Sequence, residues 1–165
     1  MIFFPAKEYY QAPVELNIEE VSFKTDDGET LQAWWMNNHP GKRTVLFFHG
    51  NGGNIYYGAE RMQMFNRLGL NALAIDYRSY GRSSGEIRVE NDLSLDSQAA
   101  FKYLLETKEV KEEDIIIWGW SLGGAVAIDL AQNKKVNRVI VESTFYDLKE
   151  MSELDNWALP IEILL

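Results

Sequence analysis

Ile115-Ile116-Ile117-Trp118-Gly119-Trp120-Ser121-Leu122-Gly123-Gly124-Ala125-Val126-Ala127-Ile128 decides the fold. Ile115 to Trp118 is a short run with no polar face, the pattern of a strand buried on both sides. Leu122 to Gln132 is Ala-rich and compact and reads as a helix. The junction, Gly119-Trp120-Ser121-Leu122-Gly123, has the form G-x-S-x-G. A serine on so tight a turn needs small residues two positions before and after it, because larger side chains would clash. Gly124 eases the packing of the helix start against the sheet. The turn lifts the hydroxyl clear of the strand and sets it at a helix N-terminus, where N–H groups and the dipole favour negative charge. The pentapeptide alone would serve equally as a Gly-Ser turn capping an ordinary helix. The strand before it and the helix after it favour a reactive serine.

Outward from this junction, Thr44 to Phe48, Leu70 to Ile75 and Val139 to Val141 are further apolar runs of strand length. Tyr56 to Leu68 has helical spacing, with Gly69 as its stop. Asp92 to Glu106 is a second helix, opened by an Asp-x-Ser-x-Asp cluster suited to capping. Nearer the start, Ile18 to Lys24 and Thr30 to Met36 alternate apolar and polar residues around the turn Thr25-Asp26-Asp27-Gly28, an antiparallel hairpin. Strands alternating with helices predict an α/β fold. Its sheet is doubly wound and mostly parallel, led by the hairpin, in one domain spanning 1–165 with a core over 14–145.

Composition narrows the function. A net charge of −9 argues against nucleic acid or anionic lipid as a partner. With no cysteine, disulfides and thiolate metal sites are excluded, and no cofactor or metal is expected. Met1 to Phe4 is too short for a signal peptide, and no run approaches the ~20 apolar residues that cross a bilayer, so the chain as it stands reads as cytoplasmic.

The chain resembles small serine α/β-hydrolases with an H-G-N-x-G-N loop, a group of esterases, lipases and peptidase-like hydrolases. Three segments carry the likeness: His49-Gly50-Asn51-Gly52-Gly53-Asn54, the elbow Gly119 to Gly124, and Asp76-Tyr77-Arg78-Ser79-Tyr80-Gly81-Arg82-Ser83-Ser84-Gly85. In the last, Ser79 stands where glycine is usual. The resemblance implies that Ser121 attacks a carbonyl and that Leu122 N–H supplies half of an oxyanion hole. Asn51, or failing that Gly52, would supply the other half from the glycine-rich loop. His49 would fix that loop together with Gly50, because the family order is serine, then acid, then histidine. A phosphate-binding reading of the loop lacks the lysine and spacing of a P-loop. The elbow likewise has no acidic ribose partner placed as a dinucleotide fingerprint needs. Tyr56, Tyr57, Tyr77, Tyr80 and Trp120 are expected chiefly in the core, with an acyl-pocket lining as the alternative.

The departures are as informative. The two histidines, His39 and His49, both precede Ser121. His39 lies in a polar loop and is expected to be exposed. Among the later acids Asp147 is the candidate triad acid, and the others, Glu142 included, are expected mostly on a solvated helix face. The resemblance implies that 146–165 begins a cap or a swapped tail and that the last two strands are missing. It also allows a membrane segment ahead of Phe3-Phe4-Pro5 in a longer parent. With those strands missing, Val139 to Val141 would form a sheet edge open to self-association with a second copy. The expected partner is a small acyl substrate, an ester, thioester or small amide. The alternative is a non-catalytic remnant that binds a ligand or a partner.

Overall fold

The computed structural model describes residues 3–8 and 11–144. In chain order the elements are β1 (Phe4–Pro5), β2 (Glu19–Lys24), β3 (Thr30–Met36), β4 (Thr44–Phe48), β5 (Gly52–Gly53), α1 (Ala59–Arg67), β6 (Asn71–Ile75), α2 (Glu90–Glu106), β7 (Ile115–Trp120), α3 (Leu122–Ala131) and β8 (Arg138–Glu142). The main sheet runs β2-β3-β6-β4-β7-β8. The hairpin pairs antiparallel and joins β6 antiparallel, while β6, β4, β7 and β8 are mutually parallel.

Burial explains the strands. Every residue of β4 and of β6 is buried, as central strands covered on both faces require. In β2 the inward residues are Val21 and, partly, Phe23. One core lies on the α2 and α3 side and includes Leu46, Phe48, Leu73, Ile75, Ile117, Leu104 and Val126. The other lies on the α1 side, with Phe47, Met62, Phe65 and Ala74. Burying one such side chain contributes roughly 1.5–3 kcal/mol. Along α2 the buried positions Leu93, Asp96, Ser97, Ala100, Phe101 and Leu104 recur at helical spacing.

The boundaries shift in informative ways. α2 begins at Glu90, two residues before the sequence start signal, because the Asp92 carboxylate reaches back to Arg88 N–H (2.8 Å) and Val89 N–H (3.0 Å). Asp92 therefore caps from the third helical position rather than from the position before the helix. The expected helix from Tyr56 opens with a 3-10 turn over Ile55–Gly58, and α1 follows. Periodicity gave no sign of β1, a two-residue strand that pairs parallel with β5 inside the glycine-rich loop.

Among the described residues β8 is one edge of the sheet, opposite β2. Val139 is 41% exposed and Val141 38%. The stretch 146–165, expected as cap or tail, lies outside the described residues, as does Asp147. No helix among the described residues is long and apolar enough to cross a membrane.

Candidate active site

The C-terminal ends of the four parallel strands converge on Ser121. This residue follows β7 and precedes α3 with φ 54° and ψ −117°, in a region that non-glycine residues rarely occupy. The surrounding glycines are required by close approach. A Cβ at Gly119 would collide with the carbonyl of Gly123, and one at Gly123 with the carbonyls of Phe48 and His49. A Cβ at Gly124 would collide with the side chain of Thr144. Helix start, strand β4 and the turn thus touch backbone to backbone. As the first residue of α3, Leu122 carries one of the N–H groups that have no acceptor within a helix.

The glycine-rich loop lies against this turn. A Cβ at Gly50 would stand 3.4 Å from Ser121 Cβ and 3.2 Å from the Trp120 ring. Asn51 is buried. Its carbonyl and side-chain oxygens both accept from the Tyr80 hydroxyl, at 2.7 and 2.9 Å. Gly52 is exposed within β5. The loop is braced by the start of the chain: Phe4 N–H donates to Asn51 Oδ1 at 3.3 Å, and Ala6 N–H to the Gly53 carbonyl at 2.7 Å. Gly81 N–H donates to the Ala6 carbonyl, which ties in the segment after β6.

His49 is buried among aromatic rings, with Tyr77 and Tyr80 at centroid distances of 4.6 and 5.1 Å. Its Nδ1 lies 2.7 Å from the Gly50 carbonyl, so that nitrogen carries the proton. Its Nε2 makes no hydrogen bond and sits 3.5 Å from Asp76 Oδ1. Both ring nitrogens are thus turned to the loop backbone and to Asp76. His39 is half-buried rather than exposed, because its Nε2 packs against the Asn66 carbonyl and amide oxygens at 2.9 and 3.0 Å. It precedes β4 while Ser121 lies beyond the far end of the sheet. Five residues of strand alone separate them by roughly 16 Å.

Tyr77 and Tyr80 are fully buried, so they belong to the core and not to a pocket wall. Burial pushes both phenols above their ordinary range. Tyr77 donates to the His49 carbonyl at 2.9 Å. Tyr56 and Tyr57 are exposed, and Trp120 is half-buried beneath the guanidinium of Arg61, 4.3 Å from its ring.

Sequence reading missed two charged clusters. Arg78 is buried and holds Asp27 at 2.7 and 3.0 Å, Asp96 at 2.8 and 2.9 Å, and Asp92 at 3.3 Å. It joins the hairpin turn, α2 and the strand end that leads into the site segment. The i, i+4 spacing of Asp92 and Asp96 put both on one helix face and was the available signal. Hydrogen bonds from Arg78 and Thr25 hold the Asp27 carboxyl down at about 2, while burial pushes Asp96 up to about 6. The second cluster corrects the placing of Glu142 on a solvated helix face. It ends β8 and is held by Arg61 at 2.6 and 3.3 Å, with Trp118 Nε1 at 3.4 Å.

A mostly parallel sheet flanked by helices, with a serine on a strained strand-to-helix turn and a glycine-rich loop packed on it, defines the α/β-hydrolase architecture. The chain belongs to the alpha/beta hydrolase fold family, whose model matches residues 43–164. It is 36% identical over 154 residues to protein bem46 of Schizosaccharomyces pombe, covering 88% of this chain and 51% of that one. It is 34% identical over 154 residues to the alpha/beta hydrolase domain-containing protein WAV2 of Arabidopsis thaliana, covering 89% and 50%. The chain therefore spans about half the length of these curated relatives. Among solved structures, a Pyrococcus furiosus esterase superposes with a TM-score of 0.75 at 26% identity, covering 87% of this chain and 58% of that one. An alpha-beta hydrolase from Vibrio vulnificus gives 0.77 at 26% identity, covering 90% and 53%.

Proposed function

We propose that Ser121 is the nucleophile of a serine hydrolase acting on carboxylic ester, thioester or small amide bonds. The observation that carries this reading is the backbone of Ser121, φ 54° and ψ −117°, with the Gly50 loop against its Cβ. Strained residues persist where the surroundings over-determine them, and they cluster at sites of chemistry. In the reaction Ser121 Oγ attacks the carbonyl carbon and gives its proton to a base. The carbonyl oxygen becomes an oxyanion held by the N–H groups of Leu122 and of Asn51 or Gly52. The alcohol, thiol or amine leaves with a proton, and water then releases the acid from the acyl-enzyme.

The base is the weak point. His49 is buried with Nδ1 on the Gly50 carbonyl and Nε2 facing Asp76, and His39 is at the other end of the sheet. Turnover by this chain alone is therefore weak or nil, resting on what an oxyanion hole and binding supply without a base, ~10³–10⁴-fold over water. A fluorophosphonate probe tests the nucleophile directly. Labelling abolished in Ser121→Ala supports it, and absence of labelling in folded protein refutes the enzyme reading for this chain.

The exposed edge supports the second reading, a non-catalytic module that binds a partner. The partner it fits is a second copy. Arg138-Val139-Ile140-Val141-Glu142 carries opposite charges at its two ends, so antiparallel pairing about Ile140 sets Arg138 of one copy opposite Glu142 of the other. Light scattering is expected to give a dimer that Val139→Lys dissociates. A monodisperse monomer at high concentration refutes the pairing.

A further inference from the structure

The end of β8 and the two residues after it grip both backbone polar groups of Ser121. Ser121 N–H donates to the Glu142 carbonyl at 2.8 Å, and the Ser121 carbonyl accepts from Thr144 Oγ1 at 2.8 Å. Between the two grips stands Ser143, itself left-handed at φ 50°. That reversal brings Thr144 back onto the turn. An extended chain would carry it away from Glu142 by roughly 3.3 Å per residue. Thr144 also fills the space beside Gly124, where a Cβ would collide with it, so the absence of a side chain at Gly124 admits the contact.

Glu142 is anchored in its turn. Its carboxylate is held by Arg61 at 2.6 Å, and the same guanidinium lies on the Trp120 ring. Trp120, Ser121 and Gly124 are thus contacted by one short segment and its ion-pair partner. A residue at φ 54° stays there only while its neighbours hold it. Three bonds hold its backbone directly: those with Glu142 and Thr144, and one from Gly124 N–H, which shares the Ser121 carbonyl with Thr144 at 2.9 Å.

We propose that Thr144 is a positioning residue for Ser121. Its hydroxyl holds the Ser121 carbonyl and so keeps the turn in the conformation that presents Ser121 Oγ and Leu122 N–H to a substrate. This rests on the reading of Ser121 as nucleophile for its chemical consequence, though not for the hold itself.

Thr144→Val keeps the shape and removes the donor, and Thr144→Ser keeps the donor. The measurements are exchange of the Ser121 amide, the rate of fluorophosphonate labelling, and the urea midpoint. In Thr144→Val the amide is expected to exchange at least tenfold faster and labelling to slow at least tenfold, at a near wild-type midpoint. Thr144→Ser is expected to restore both. A merely space-filling threonine would make Val the milder change and leave Ser the worse one, and that outcome overturns the proposal. So does a Val variant whose amide exchanges as in the wild type. If Thr144→Val does not fold, Thr144→Ala is compared with Thr144→Ser by the same readouts. If the wild-type protein is not labelled at all, the nucleophile reading fails, and amide exchange alone still decides whether the hydroxyl holds the turn.

Discussion

Gly123→Ala is expected to destroy the Ser121 turn and to lower stability by about 3–5 kcal/mol, with loss of any probe reaction at Ser121. The added Cβ would be driven into the backbone carbonyls of Phe48 and His49. Neither can move aside: Phe48 is the last residue of a central strand, paired with both β6 and β7, and the His49 carbonyl is fixed by Tyr77. Overpacking against a flexible side chain is absorbed by rotation, but against a sheet backbone it is not. Gly52→Ala is the matched control. A Cβ there meets nothing within 4 Å, so its stability should stay within about 0.5 kcal/mol of wild type. Urea unfolding followed by tryptophan emission measures both. A Gly123→Ala protein as stable as the control would mean that α3 can shift away from β4.

Arg78→Ala should cost a similar amount, about 3–5 kcal/mol, by a different mechanism. It leaves Asp96 fully buried without a cation and frees the hairpin turn at Asp27 from the strand end after β6. Removing one member of a buried ion cluster is worse than removing the cluster, so Arg78→Met with Asp96→Asn should recover part of the loss. The pH dependence separates the two carboxylates. Asp27 has its folded pKa depressed to about 2, so the stability it contributes is present above about 4 and is lost as pH falls towards 2. Asp96 is raised to about 6, so the folded state binds its proton more readily than the unfolded state. Its contribution therefore declines as pH rises from about 4 through 6. Asp96→Asn is expected to remove that decline while leaving the acid limb in place. An unchanged profile between pH 4 and 6 would show that Arg78 keeps Asp96 ionised throughout.

What the sequence disclosed and what it hid follow from the range of the interactions. The strands β4, β6 and β7 were legible because both their faces are buried, which leaves an unbroken apolar run. The turn at Ser121 was legible because glycine is required where backbones touch, and Gly119 and Gly123 lie against the backbones of Gly123 and Phe48. The Arg78 cluster was hidden because its carboxylates come from Asp27, Asp92 and Asp96, and no local pattern says that a hairpin turn will meet a helix. Thr144 was hidden for a related reason: a hydroxyl after a strand has no meaning until the chain reverses at Ser143. Asn51 was picked out as a hydrogen-bond donor through its N–H. Its two oxygens proved to serve Tyr80, a pairing that only the fold could reveal.

Phe4 to Ala6 lie on the glycine-rich loop, and Glu142 to Thr144 lie on the Ser121 turn. The surroundings of one serine are therefore closed by stretches from opposite ends of the described chain. During synthesis the first of these leaves the ribosome long before the second exists. Until Thr144 has been made, the Ser121 carbonyl lacks the hydroxyl that donates to it in the folded chain. Long-range closure of this kind is slow, and it ties the geometry of the Ser121 turn to contacts between segments made far apart in time.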